Sequence, residues 1–284
     1  MAAGYFNDGT LDVELGAHVF VSPRARRRNL RLKPYDRAAT VLDSGGGVLE
    51  MKVTGQRLRA NLGDGERYIY ETLYALATSS PGDLAFEDNR AHRHVFGDSV
   101  CIGGSGQVLA FRFADMRLDF ACPEKSSEPA FGAVPAAPAA YPGTTNAQDY
   151  TAGGVDLGQA GVMRIEMQRS VSLRELPRAR GARTSVPPSG ALIRFLVETE
   201  RIAATENLAT DLEDLARAIG PGPVTLTANG NAYGGVVLEG IRPRHTDRKH
   251  TVVECELVQD IAAHGAWHWT TTTAAPATTT TTSE

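Results

Sequence analysis

Gly190-Ala-Leu-Ile-Arg-Phe-Leu-Val197 is a strand-like apolar run, and Gly47-Val-Leu-Glu-Met-Lys-Val-Thr54 is its counterpart earlier in the chain. Outward from both runs the order of elements is the same. A helical segment follows, at 63–77 and at 206–219. A Pro/Gly break comes next, at Pro81-Gly82 and at Pro221-Gly222, and then three short strands. Upstream, each run is preceded by the string Pro-Arg-Ala-Arg, at Pro23 and again at Pro177. Residues 47–121 and 190–261 therefore read as two copies of one domain, the first with a longer loop between its landmarks. An internal duplication points to a pseudo-symmetric assembly, so architecture comes before catalysis as the place to look for function.

Within each copy the periodicity predicts an α+β, β-dominated fold of two tandem β-sandwich or barrel domains, each with one packed helix. Leu208, Leu212, Leu215 and Ile219 form one apolar helical stripe, with Thr205 or Asn207 as cap and Gly220-Pro221 as stop. Ile69, Leu73 and Leu76 form the matching stripe, flanked by Tyr70 and Tyr74. Residues 251–258 alternate, with Val253, Cys255 and Leu257 inward and Glu254 and Glu256 outward. Residues 108–120 read as a second alternating strand with a bulge. Gly103-Gly104-Ser105-Gly106 reads as a hairpin turn between strands. The boundaries fall at 1–122 for the first domain, 123–154 for a Pro/Ala/Gly-rich linker and 155–264 for the second domain. The Thr-rich tail, 265–284, has nothing from which to build a core.

A chain of 284 residues with 42% hydrophobic and 22% charged residues is ordinary for globular protein of two domains. Its net charge of −4 excludes a polyanion binder acting through overall charge. All but four of its 29 basic residues are arginine, the lysines being Lys33, Lys52, Lys125 and Lys249. Guanidinium forms bidentate interface pairs better than ammonium does, although base composition in a GC-rich genome accounts for the same bias. Cys101, Cys122 and Cys255 are odd in number and widely spaced, which predicts free thiols in a reducing compartment. The N-terminus has no signal-peptide order and no run is apolar enough to span a bilayer. The expectation is synthesis in the cytoplasm with no membrane anchor.

Chemistry has few candidates. His92, His94 and Cys101 read as polar and core residues of a strand; the alternative is a three-ligand metal set, which would make the chain a small-molecule or metal-dependent binding module or enzyme. His264, Trp267, His268 and Trp269 cluster where an aromatic pair docks a neighbour or closes a core. No nucleophile elbow, Walker loop or His-Glu-x-x-His motif is present, and no spacing nominates a carboxylate pair, so no catalytic residue, cofactor or enzymatic activity is expected. Arg24, Arg26, Arg27 and Arg28, with Arg178, Arg180 and Arg183, read as two loops that interrupt strand-like runs. Their predicted role is contact between subunits around a ring, with nucleic-acid binding as the alternative.

The helix followed by Gly222-Pro-Val-Thr-Leu-Thr-Ala-Asn-Gly-Asn-Ala-Tyr-Gly-Gly-Val-Val-Leu-Glu-Gly-Ile-Arg-Pro243 and a closing alternating strand resembles the tail-tube-like β-barrel domain. Distal tail, tail-tube and baseplate-hub proteins of tailed bacteriophages share that domain. The resemblance covers most of both copies, and Pro243 has no counterpart in the first, where Asp98-Ser99-Val100 stands. It implies a structural virion protein, assembled in the host bacterial cytoplasm and residing in the tail. Its inner strands would join between subunits into a ring, three chains of two domains being favoured over six chains. Partners would be further copies, neighbouring tail-tube and tail-tip proteins, and DNA passing through the lumen without specific binding. The implied position is the distal tail or hub, with a tail-tube protein of duplicated domain as the alternative. A passive lumen predicts more Asp, Glu, Ser, Thr and Gly than Arg on the channel-facing side of the strands that carry Glu50, Lys52 and Arg194.

Overall fold

The computed structural model describes residues 4–32, 40–87, 93–110, 112–123, 148–169, 174–178, 181–186, 190–202, 208–247, 250–262 and 267–270. The first half contains β1 (Gly4–Asn7), β2 (Asp12–Gly16), β3 (His18–Leu32), β4 (Thr40–Leu58), α1 (Leu62–Thr78), β5 (Gly82–Glu87), β6 (Arg93–Leu109) and β7 (Phe113–Pro123). The second contains β8 (Tyr150–Ala152), β9 (Val155–Arg169), β10 (Arg174–Arg178), β11 (Gly181–Val186), β12 (Ala191–Ile202) and α2 (Leu208–Ile219). After α2 come β13 (Val224–Ala228), β14 (Asn231–Asp247), β15 (His250–Ile261) and β16 (Trp267–Thr270). Strands dominate, and the described residues include two helices, as the periodicity predicts.

Each half closes into a six-stranded antiparallel barrel. In the second, the pairing runs β8-β9-β12-β15-β14-β13 and back to β8. In the first, β2 continues through Ala17, whose amide donates to the Gln56 carbonyl at 3.1 Å, into β3. The circuit is then β1-β2/β3-β4-β7-β6-β5 and back to β1. Closure needs close backbone approach at one point: a Cβ on Gly55 would stand 1.8 Å from the Leu15 carbonyl oxygen. The inward faces carry Phe6, Leu15, Met51, Val53 and Phe120 in one barrel and Phe195, Val197, Tyr233 and Leu257 in the other, all buried.

Register also shows how the two copies correspond. Val53 lies between Val21 and Leu118, as Val197 lies between Met163 and Cys255. Aligning the runs on Gly47 and Gly190 is therefore off by one residue. A one-residue slip exchanges the two faces of a strand, and the buried face decides the true register. The two Pro-Arg-Ala-Arg strings do not occupy equivalent places. Pro23 pairs with Met51 inside the first barrel, whereas Pro177 pairs with Ala182 near the tip of the β10–β11 hairpin.

Other expectations are corrected as well. Arg24, Arg26, Arg27 and Arg28 lie within strand β3, not in a loop, because β4 supplies a ladder along most of their length. Arg178 closes β10 and Arg183 lies in β11; Arg180 is outside the described residues. Residues 108–120 are a hairpin, not one bulged strand. The chain turns at Ala110, φ 48°, and Leu109 pairs back with Phe113. Residues 103–106 are not a turn but the middle of β6. Strand β8 falls inside the stretch read as linker, and β16, which pairs with β11, falls inside the stretch read as tail. Residues 124–147 and 271–284 lie outside the described residues, as do Thr205, Asn207 and His264.

Candidate assembly surface

The two barrels are joined edge to edge. Strand β6 pairs with β5 along its first half, then with β9 from Gly103↔Gln168 to Gln107↔Arg164. This joint makes one continuous antiparallel sheet in the order β3-β4-β7-β6-β9-β12-β15-β14. Helix α1 lies across the joint, and the β6 glycines provide the room for it. A Cβ on Gly104 would come 2.9 Å from Leu73 Cδ2, and one on Gly106 would come 2.5 Å from Ile69 Cγ2.

Helix α1 belongs to the first barrel by sequence and to both by contact. Its start is set by Asn61, whose side-chain oxygen accepts from the Asp64 amide at 2.9 Å. Tyr70 reaches across to Phe195 and Tyr233, with ring centroids 5.8 and 4.7 Å away, and its hydroxyl donates to Gln259 Oε1 at 3.1 Å. Deeper in, Glu66 is a buried carboxyl. Tyr150 Oη donates to its Oε1 and Asn229 Nδ2 to its Oε2, both at 2.8 Å. Burial pushes the Glu66 carboxyl up to about 7, against the pull of these two hydrogen bonds. Asn229 and Gly230 both have positive φ and form the β13–β14 turn, and Asn231 Nδ2 donates to the Gly63 carbonyl at 2.8 Å. A polar clamp thus fixes the first barrel's helix to the second barrel's turn.

The sequence did not single out Glu66, Tyr150 or Asn229. Only the Asn-Gly turn has a local signature, and a carboxyl within a helix has none that marks it as buried. His94 and Cys101, two of the three residues of the alternative metal set, are not brought together. His94 is exposed and stacks on Phe86 with centroids 5.1 Å apart, while Cys101 is buried with its thiol donating to the Gly103 carbonyl. Seven residues of strand separate them, roughly 20 Å, and His92 is outside the described residues. Among the described residues no group of three or more His, Cys, Asp or Glu is placed to hold a metal. All three cysteines are free and buried; desolvation pushes the thiols of Cys101 and Cys255 up to about 12 and that of Cys122 to about 11. No helix among the described residues is long and apolar enough to cross a membrane.

The face of the sheet opposite the core is polar. A groove of about 900 Å³ crosses β4, β7, β6 and β9, and its wall includes Lys52, Thr54, Ser105, Asp115, Arg117, Asp119 and Glu166. Register places Arg24, Glu50, Arg194 and Glu256 on the same face. Its arginines are largely answered in place: Arg164 by Glu166 at 2.9 Å, Arg194 by Glu256 at 2.5 Å. Gln56 donates to Asp115 at 2.8 Å. Exposed apolar side chains interrupt this wet surface, among them Val237 in β14 and, at matching positions, Phe20 in β3 and Val162 in β9, 70% and 50% exposed. At the strand ends Leu58, Leu109 and Phe113, paired across β4, β6 and β7, form an exposed apolar group.

The sheet ends in two open edges whose positions match the internal joint. Strand β14 pairs with β13 over its first half, as β6 does with β5, but from Gly240 onward β15 is its sole described neighbour. Among the described residues strand β3 pairs with β4 alone, where β9 pairs with both β12 and β6. By register, Gly240 stands where Gly103 does and Ser22, Arg24 and Arg26 where Arg164, Glu166 and Gln168 do. No family model matches the chain, and no curated protein sequence matches it.

Proposed function

We propose that the chain is a structural component that closes, edge to edge, into a ring in a phage-type tail, at the distal tail or hub. One observation carries this reading. The chain already contains the joint β6–β9, and the edges without a partner among the described residues, β14 and β3, are the same two strands one copy along. An edge left unpaired is a template for another chain, and closing the circuit removes every such edge. If β14 of one chain pairs with β3 of the next as β6 pairs with β9, the operation repeats and closes head to tail. The tail-tube resemblance supplies the number: six barrels around the ring, hence three chains.

The segment of β3 carrying Arg24 and Arg26 then lies at the contact between chains, and Arg178 and Arg183 lie on a hairpin that belongs to a separate three-stranded sheet with β16. The wet face of the sheet becomes the wall of the lumen. Its balance of carboxylates, Ser, Thr and ion-paired arginine suits a conduit that DNA crosses without being held. The apolar group at Leu58, Leu109 and Phe113 caps one end of the strands, where a neighbouring tail-tube or tip protein would stack. Sedimentation of the purified chain over a wide concentration range tests the reading. Three times the 30.3 kDa chain mass is expected at high concentration. A monomer at every concentration, or an even-numbered dimer closed on itself, contradicts it.

A further inference from the structure

Copying the internal joint onto the open edges, which rests on the ring reading above, exposes two rungs where the copy is flawed. Where β6 and β9 oppose Gly106 to Ile165, the joint between chains opposes Pro243 to Pro23. Proline has no N–H, so this rung can exchange no N–H···O bond whichever way the two backbones face. Proline inside a strand belongs on an edge, where the missing donor costs nothing until another strand arrives. At the adjacent rung, Ser105 opposite Glu166 becomes Arg242 opposite Arg24, a like-charged pair directly across the joint. Arg24 is exposed, and Arg242 is turned to Glu254, which Arg244 also engages.

The internal joint shows what the same backbone does without these features. It has donors on both sides and a neutral–acidic pair at the second rung. It also has a helix clamp through Glu66, Tyr150 and Asn229, which does not recur at the open edges among the described residues. We propose that Pro23, Pro243 and the Arg24–Arg242 pair are a gate built into the joint between chains. They hold its strength below that of the internal joint, so that free chains stay apart until gathered at high local concentration. The occupant of the edge is a second copy of this chain in the register of the internal joint. The defects are confined to the two open edges and absent from the closed one. That distribution distinguishes a gate against premature closure from casual variation in edge strands.

The test restores the internal residues at the open edges of the full chain. Pro23→Ile with Pro243→Gly reinstates the donors, and Arg24→Glu alone, at an exposed position, reinstates the acidic partner. A reporter pair, Arg26→Cys with Gly240→Cys, marks the Gly103–Gln168 rung. Directly opposed residues lie within disulfide range, and a Cβ on Gly240 meets nothing within 4 Å. The expected result is a chain-to-chain disulfide at this pair. Each restoration should also lower the half-closure concentration, read by sedimentation, by at least about tenfold. If the disulfide forms but neither restoration promotes closure, the gate is wrong and the ring reading stands. If no disulfide forms between chains even in concentrated protein, the ring reading fails and the gate with it.

Discussion

Glu66 is the residue on which the union of the two barrels is most sharply focused. The folded chain holds its proton at about pH 7, while the unfolded chain releases it near 4.5. The stability this group contributes is therefore full below pH 4.5, falls as pH rises toward 7, and is gone above 7. The span corresponds to a loss on the order of 3 kcal/mol. Glu66→Gln cannot ionise, yet can still accept from Asn229 and donate to the Tyr150 oxygen. Denaturant unfolding at pH 5 and pH 8 should show a smaller pH effect in the variant than in the parent by about that amount. Equal pH dependence in both would remove Glu66 as the titrating group. Nothing in the sequence marks this residue, because its burial comes from a strand more than 80 positions away and from a turn in the other copy. The outward Glu256 was legible, since alternation in a half-buried strand needs only the strand itself, whereas Glu254, on the same face, is buried under Arg242 and Arg244 from the neighbouring strand.

At the scale of elements, the helices were legible and the glycine run was not. Leu73 and Leu76 repeat at helical spacing on an apolar stripe, and α1 follows from that stripe alone. Gly103-Gly104-Ser105-Gly106 has turn composition, but its glycines serve a different need: they let α1 lie flat on β6. Gly106→Ala should push against Ile69 and Met116 and destabilise the chain by about 1–3 kcal/mol. Gly240→Ala, at the matching strand but in open space, should change stability by less than about 0.5 kcal/mol. Thermal unfolding of the two variants checks the pair; equal effects would mean that α1 does not press on β6. The arginine strings misled for a related reason. Proline and clustered charge are loop signals, yet on an edge strand they are the usual means of blunting a free ladder. A repeated string also draws the eye to equivalence, whereas register places Pro23 opposite a barrel strand and Pro177 beside a hairpin tip.

At the scale of the molecule, the duplication in the sequence survives as two barrels with the same circuit. What could not be read from it is that β6 of one copy pairs with β9 of the other, since that pairing has no local pattern. The wall of the sheet gives a prediction of its own. With carboxylates such as Asp115, Asp119 and Glu166 interspersed among its arginines, the chain should show no saturable binding to a short DNA duplex at about 0.15 M salt. The triple variant Asp115→Asn, Asp119→Asn, Glu166→Gln should gain salt-dependent binding in a fluorescence anisotropy titration. Tight binding by the parent chain would instead indicate a surface that grips DNA. The central claim, closure of three chains through β14 and β3 into a ring with an open centre, is tested most directly by electron microscopy. The sample is the Arg26→Cys, Gly240→Cys chain after oxidation, viewed in projection. The account predicts a closed ring of threefold symmetry with a central hole. Solid particles, isolated pairs or open-ended strings of chains would contradict it.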